Sequence, residues 1–346
     1  MAAAKKTTTP DSVATDADDA AAHQPHDKFF KSIFANIPTA IGFLKNYLPE
    51  AVVRCLDLTP EHVTHIEDSY VSDTFKQVEA DLLFSVPLKT GGKAPMATYV
   101  YVLWEHQYKE DRHIGLRLLG YMVSIWKEYL KKHPKAKKLP FILPLVLAQN
   151  KKAWRVLPHF GPGQFVLPAE QSADFARYVP GFDFAIIETA KLADSEIRGT
   201  PAGAFALQVM KAQREGPAAL ASDRIWKSPF LLQPGLLSDE ELSFSVRYML
   251  HTGLDKDTFE RRTNALPRTT RGTVMTAAEQ YKRIGRLEGK QIGRLEGQRI
   301  GDLVGCITTA QRFLGLKPTP KAELFAQSLE ELRATYKHLC VGRLTR

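Results

Sequence analysis

Glu105 and Gln107 close an otherwise apolar run, YVYVLWEHQY from Tyr99, and an acidic pair, Glu79 and Asp81, opens the run before it, VEADLLFSVPL. Residues two apart in a strand point to the same face, so Glu105 belongs with Gln107 and Glu79 with Asp81. A hairpin centred near Lys93, in the turn TGGKAP, makes opposed residue numbers sum to about 186. Asp81 then faces Glu105, and Glu79 faces Gln107. Directly opposed residues have Cβ atoms roughly 4.5–5.5 Å apart. Two carboxylates that close repel unless one is protonated, a basic side chain inserts or a cation bridges them. A hard divalent cation is the most economical answer, and the main-chain carbonyl of His106 offers it a further oxygen. The competing reading is a solvated polar hairpin face, since the turn is long and a bulge would shift the register.

The elements that must position these groups follow from periodicity. HDKFFKSIFANIPTAIGFLKNYLP reads as a helix interrupted near Pro38, with Asp27 as its N-cap. HVTHIEDSYV reads as a strand, QVEADLLFSVPL and ATYVYVLWEHQY as two more, joined by the turn KTGGKAPM. Ile114, Leu118, Met122, Ile125 and Tyr129 then mark one face of a helix that ends in KKHPKAKK. LPFILPLVLAQ is a buried strand whose prolines limit where it can pair. The order is α-β-β-β-α-β, FDFAIIE is a further strand, and the pattern beyond Lys191 is mostly helical. We divide the chain into a disordered tail (1–24), an α/β domain (25–200), a helical extension (201–280), a glycine-rich repeat (281–306) and a short terminal helical segment (307–346).

Composition narrows the function classes. The 346 residues are 44% hydrophobic and 25% charged, as in ordinary globular proteins. A formal charge of +9 favours a polyanionic partner without identifying one. Three scattered cysteines exclude a disulfide scaffold and a cysteine-rich zinc module, and fit a reducing cytoplasm. The longest apolar run, LPFILPLVLA, is too short to cross a bilayer, and the N-terminus has no apolar leader segment. A cytoplasmic, nucleoid-associated protein is therefore expected, with no membrane partner. Neither a G-x-S-x-G elbow nor a G-x-x-x-x-G-K-[ST] phosphate loop occurs. His62 and His65 fall on opposite sides of their strand and read as surface residues.

Two basic features could meet a nucleic acid. His113, Arg117 and Tyr121 recur every four residues, a stripe that could aim Arg117 at a phosphate, or an ordinary helix face with Tyr121 half buried. Lys131, Lys132, Lys135, Lys137 and Lys138 are candidate DNA contacts, although a solvated helix end explains such a run equally simply. Near the C-terminus, IGRLEGKQIGRLEGQRIGDLVG repeats every eight residues, with glycine at every fourth position from Gly285 to Gly305. Each glycine costs a helix up to about 1 kcal/mol relative to alanine. The segment is therefore a connector or a self-association surface that makes a homo-oligomer.

Several phrases resemble one family in the right order: PHDKFFKSIF, FLKNYLP, EADLLFSV, YVLWEHQ, RLLGYMVSIWKEYLKKHP and KKLPFILPLVL. They are similar to the recombination-promoting nucleases, the YhgA-like transposases, within the PD-(D/E)XK nuclease superfamily. The resemblance covers residues 25–200 and, more loosely, the helical tail. It implies an α/β restriction-endonuclease-like core, a mixed sheet flanked by helices, followed by a mostly helical C-terminal region. It implies Mg²⁺, or another divalent cation, on Asp81, Glu105 and the His106 carbonyl, and DNA phosphodiester hydrolysis that promotes recombination. Asp81 matches the metal-binding aspartate, Glu105 the acid of the E-x-K half-motif, and Gln107 the lysine position. Glutamine lacks the charge of lysine but can orient a water or contact a phosphate, with Glu79 as an accessory. Asp27 matches the family's N-terminal motif, as a metal accessory or a helix cap. The alternative is a weakly active or inactive DNA-binding or assembly protein on the same scaffold.

Overall fold

The computed structural model describes residues 25–66, 82–89, 99–166, 170 and 172–341; Glu79 and Asp81 lie outside this set. Seven strands are seen: β1 Thr64–Ile66, β2 Leu82–Pro87, β3 Tyr99–Gln107, β4 Phe141–Ala148, β5 His159–Phe160, β6 Phe182–Asp183 and β7 Ala185–Glu188. Helices of eight residues or more are labelled α1 (25–34), α2 Ile37–Tyr47, α3 Ile114–Lys132, α4 Pro201–Glu215, α5 Asp239–His251, α6 Lys256–Asn264, α7 Arg268–Phe313 and α8 Leu329–Val341.

One five-stranded sheet runs β1-β2-β3-β4-β7. β1, β2 and β3 pair antiparallel, whereas β3–β4 and β4–β7 pair parallel. The β2–β3 register is the one a hairpin centred near Lys93 gives: Leu82 pairs with Trp104 and Pro87 with Tyr99, so opposed numbers sum to 186. Leu82, Phe84, Val86 and Trp104 point to one face, into a large core shared with α1, α2, α4 and α5. Leu83 points to the other, with Ile114, Leu118, Tyr121 and Met122 of α3 and with Val146 of β4. The polar end of β3 thus divides by parity. Glu105 falls on the α3 side and His106 on the α1 side.

The first helical segment is interrupted near Pro38, as expected: the break falls at 35–36, Asn36 caps α2, accepting from the Thr39 N–H at 3.2 Å, and Pro38 occupies its first turn, where no N–H is missed. Two local expectations are corrected. Asp27 sits inside α1, which is already helical at residue 25, so it is not that helix's cap. FDFAIIE is not one strand. Phe182–Asp183 pairs with His159–Phe160 in a separate two-stranded sheet, and only Ala185–Glu188 joins the main sheet. Pro144 of β4 is tolerated centrally because the β7 ladder begins one residue later, at Leu145.

The chain divides into two compact units after Ala278. The helices from α4 to α6 contribute to the same core as the sheet, through Phe205, Val246 and Phe259 among others. The repeat lies within α7, a single helix of 46 residues. A Cβ built on any of its six glycines, Gly285 to Gly305, meets nothing within 4 Å. In the second unit Val304, Ile307, Leu324 and Leu332 form a small core. Among the described residues no helix is long and apolar enough to cross a membrane.

Candidate functional site

β3 ends in a cavity of about 810 Å³ whose walls include Asp27, Lys31, Glu105, Gln107, Arg117 and Tyr121. α3 covers Glu105 because its register puts Arg117 and Tyr121 one turn apart above β3. The helix can come close to β5 because position 115 is glycine; a Cβ there would stand 2.7 Å from the Phe160 ring. Glu105 is 3% exposed, a buried carboxylate at the cavity wall. Its Oε1 accepts from Gln107 Nε2 at 3.0 Å and weakly from the Tyr121 hydroxyl at 3.4 Å. The Arg117 guanidinium stands 3.2 Å from the same oxygen and 3.5 Å from Asp111. A buried carboxylate left without cationic company would be strongly disfavoured, and Arg117 supplies that company to Glu105.

The Gln107 amide nitrogen also donates to the His106 carbonyl at 2.8 Å. Both neighbours are acceptors only, which fixes the orientation of the amide. Glu105 Oε1 and the His106 carbonyl therefore converge on a single donor. Two hard oxygens aimed at one point are a donor set that suits a small divalent cation once the amide swings aside. By themselves they would make only part of a coordination sphere. Among the described residues no group of three or more His, Cys, Asp or Glu side chains is arranged to hold a metal, and the expected partners Asp81 and Glu79 fall outside those residues.

The other face of β3 carries a polar network that sequence reading missed. His106 is buried, with Nδ1 3.0 Å from Asp27 and Nε2 3.0 Å from the Gln149 amide oxygen. Gln149, fully buried just after β4, donates to the Met210 carbonyl, to Gln213 and to the Tyr248 hydroxyl at 2.8–3.1 Å. The Met210 carbonyl can only accept, so Gln149 must present its oxygen to His106, whose Nε2 carries a proton. Tyr248 lies 2.7 Å from His26 Nδ1, and burial pushes its phenol well above the ordinary tyrosine value. The available signal was the one that exposed Glu105: polar residues, Gln149 and Asn150, directly after an apolar strand.

The remaining candidates are dispersed. Asp27 reaches the cavity and the His106 ring together. His113 is exposed at the start of α3. The basic run lies at the far end of that helix, about 20 Å from Arg117 by helical rise, where Lys131 and Lys132 stand 3.2 Å and 3.9 Å from Glu128. Lys135, Lys137 and Lys138 are exposed in the loop beyond.

A mixed α/β core with a buried acid, an amide and an arginine at the end of its central strand is the arrangement defined so far. The chain belongs to the family described as "Putative transposase, YhgA-like", whose model matches residues 24–228. It is 25% identical over 260 residues to recombination-promoting nuclease RpnD of Escherichia coli O157:H7, covering 74% of this chain and 93% of that protein. It is 25% identical over 235 residues to recombination-promoting nuclease RpnC of Escherichia coli K12, covering 68% and 73%. Another K12 relative, 24% identical over 271 residues and covering 77% and 84%, is named an inactive recombination-promoting nuclease-like protein, RpnE. No solved structure gives a significant match.

Proposed function

We propose that this protein is a divalent-metal-dependent DNA endonuclease of the PD-(D/E)XK type that promotes recombination, with Asp81, Glu105 and Gln107 as its reactive constellation. The observation that carries the reading is the β2–β3 register. Its last described pair is Leu82 with Trp104, and one more step of the same ladder would set Asp81 against Glu105. The relatives' names support nuclease chemistry at the level of the family. Asp81, Glu105 and the His106 carbonyl would hold the cation, Mg²⁺ being the expected one. When bound, it polarises a phosphoryl oxygen and makes water acidic enough to supply the nucleophile. Gln107, released from its two acceptors, would orient that water, with Glu79 as the expected accessory. Arg117, displaced from Glu105, meets the phosphate it is long enough to reach, and Tyr121 closes the inner wall.

The second reading, a scaffold that binds DNA without cutting it, is favoured by one observation. The amide of Gln107 satisfies the oxygens that a superfamily lysine would accompany with a full charge. Plasmid nicking with purified protein separates the two. The expected result is Mg²⁺-dependent cutting that Asp81→Ala and Glu105→Ala each abolish. Cutting by both variants at the wild-type rate sinks the site assignment. DNA binding by wild type with no cutting under any divalent metal establishes the second reading.

A further inference from the structure

A second cavity, of about 720 Å³, opens beside the Glu105 cavity and shares Tyr108, Glu110 and Arg112 with it. It lies beyond the carboxyl ends of the parallel strands β3 and β4, where open α/β sheets take their ligands. Its charge differs sharply from its neighbour's. Among the described residues the Glu105 cavity is lined by five cationic side chains and four carboxylates, a near balance. The second is lined by Arg112, Lys151, Lys152, Arg155 and Arg214 against the single carboxylate of Glu110.

That carboxylate forms no ion pair with the cations among the described residues. Glu110 Oε1 accepts the backbone N–H groups of Arg155 and Val156, at 2.6 and 3.2 Å. The loop 150–157 is held from below as well. Buried Glu188, at the end of β7, accepts from the Asn150 amide and the Trp154 N–H, both at 2.7 Å. Lys151, Lys152 and Arg155 are exposed on this fixed loop, and none of them forms an ion pair among the described residues. Arg214 enters from α4 with its guanidinium 4.1 Å from the centre of the Tyr108 ring, and its buried Nε has no hydrogen-bond partner among the described residues.

The aromatic groups say which part of a nucleic acid fits. Tyr108 is stacked on His26 at 3.8 Å and covered by Arg214, so its ring offers no face to a base. Trp154 is 9% exposed and packs into the core under α3. Unpaired cations without a stacking platform recognise phosphates and leave bases unread. We propose that this cavity seats the phosphodiester backbone of the DNA strand that continues past Glu105, in a sequence-independent manner. The inference rests on the nuclease reading and locates the substrate's path.

The test is fluorescence anisotropy of the full-length protein with labelled DNA duplexes of two unrelated sequences, in EDTA, across a series of salt concentrations. Plasmid nicking is measured on the same preparations. Each neutralised phosphate contributes about 0.9 to the slope of log K against log salt. Lys151→Ala/Lys152→Ala/Arg155→Ala is expected to lower that slope by about 2 to 3 and to weaken binding at least tenfold for both sequences. The charge-keeping Lys151→Arg/Lys152→Arg/Arg155→Lys variant is expected to restore both. Lys45→Ala/Lys227→Ala/Lys256→Ala, exposed positions that line neither cavity, is expected to leave the slope near the wild-type value. An unchanged slope in the first variant, with wild type binding and cutting DNA, overturns this inference alone. A wild type that neither binds nor cuts overturns the nuclease reading with it.

Discussion

Glu105 and His106 are adjacent in β3, and each is buried, polar and hydrogen-bonded, yet their surroundings are of opposite kinds. His106 faces a buried glutamine pinned by the Met210 carbonyl, with a core tyrosine behind it, and is open to the cavity only at Asp27 of α1, 42% exposed. Glu105 faces the ends of long side chains. Arg117 is 37% exposed, and among the described residues Gln107 is held by the two oxygens it bridges. The first set is closed and fixes the end of β3 to α1, β4, α4 and α5. The second can change partners, which a reactive carboxylate needs and a structural one does not. A strand's period of two lets one sequence position serve each purpose.

The widest test of this contrast sets Gln149→Leu against Glu105→Gln. Leucine fills much of the volume of Gln149 but orphans the Nε2 proton of His106 and removes a donor from the Met210 carbonyl and from the Tyr248 hydroxyl, which keeps His26. A buried group left unpaired costs about 1–3 kcal/mol, so denaturant unfolding is expected to show a loss in that range. Glu105→Gln keeps the shape and removes the charge. It is expected to lower plasmid cutting on the order of a hundredfold or more through lost electrostatic stabilisation, with unfolding changed by less than about 1 kcal/mol. If the stability losses came out reversed, the division between a closed and an open side of β3 would be wrong.

Gln107→Ala sharpens the same comparison on the open side. Alanine frees Glu105 Oε1 and the His106 carbonyl from their shared donor, and it removes the group assigned to orient water. Outer positioning groups at metal sites are worth about 10–100-fold in activity or metal affinity. Cutting is expected to fall by that factor at saturating Mg²⁺, while the Mg²⁺ concentration for half-maximal rate stays level or drops. A rate unchanged at every Mg²⁺ concentration would show that the glutamine has no part in the reaction.

What could be read in the sequence, and what could not, follows the same line. The hairpin register was legible because matching alternation in both strands agrees with a turn centred near Lys93, although the long turn left a bulge open, and Leu82 opposite Trp104 is the result. The odd face was legible because Glu105 and Gln107 interrupt an apolar run. The even-face network was not, because its members come from distant elements: His26 lies 222 residues from Tyr248 and Gln149 lies 61 from Met210. No local period links them, and only a folded chain brings a buried glutamine to a buried histidine. Asp27 shows the limit on a smaller scale. As a residue type it suits a helix cap, and tertiary contact with His106 decides otherwise.

The octad repeat supplies a test between the two units of the chain. Gly289, Gly293 and Gly297 are exposed in α7, and a Cβ on each meets open space. Replacing Gly289 and Gly297 with alanine is expected to raise helix stability by about 2 kcal/mol in total, read as a higher melting temperature by circular dichroism. Light scattering distinguishes the connector from a self-association surface. A fall in mass with the same substitutions would mean that the glycines pack against another copy of the chain, where a methyl group does not fit.

The smallest expected effect concerns a charge cluster intermediate between the two sides of β3. Asp194 lies 2.8 Å from Lys211 of α4 and 3.3 Å from Arg224, and its side chain is 38% exposed. Burial pushes its carboxyl upward, but the two cations outweigh that and hold it below the ordinary aspartate range. A carboxyl whose folded value is depressed binds its proton less readily in the folded than in the unfolded state. Its contribution is therefore complete above the unfolded value of about 3.9 and fades as pH falls through the lower folded value. Solvent screening keeps the contribution small. Asp194→Asn is expected to be slightly less stable than wild type in urea at neutral pH, with the gap closing as pH drops below about 4. A gap that persists in acid would assign the contact to packing and hydrogen bonding, and would place Asp194 with the closed network around His106 and not with the re-partnering charges around Glu105.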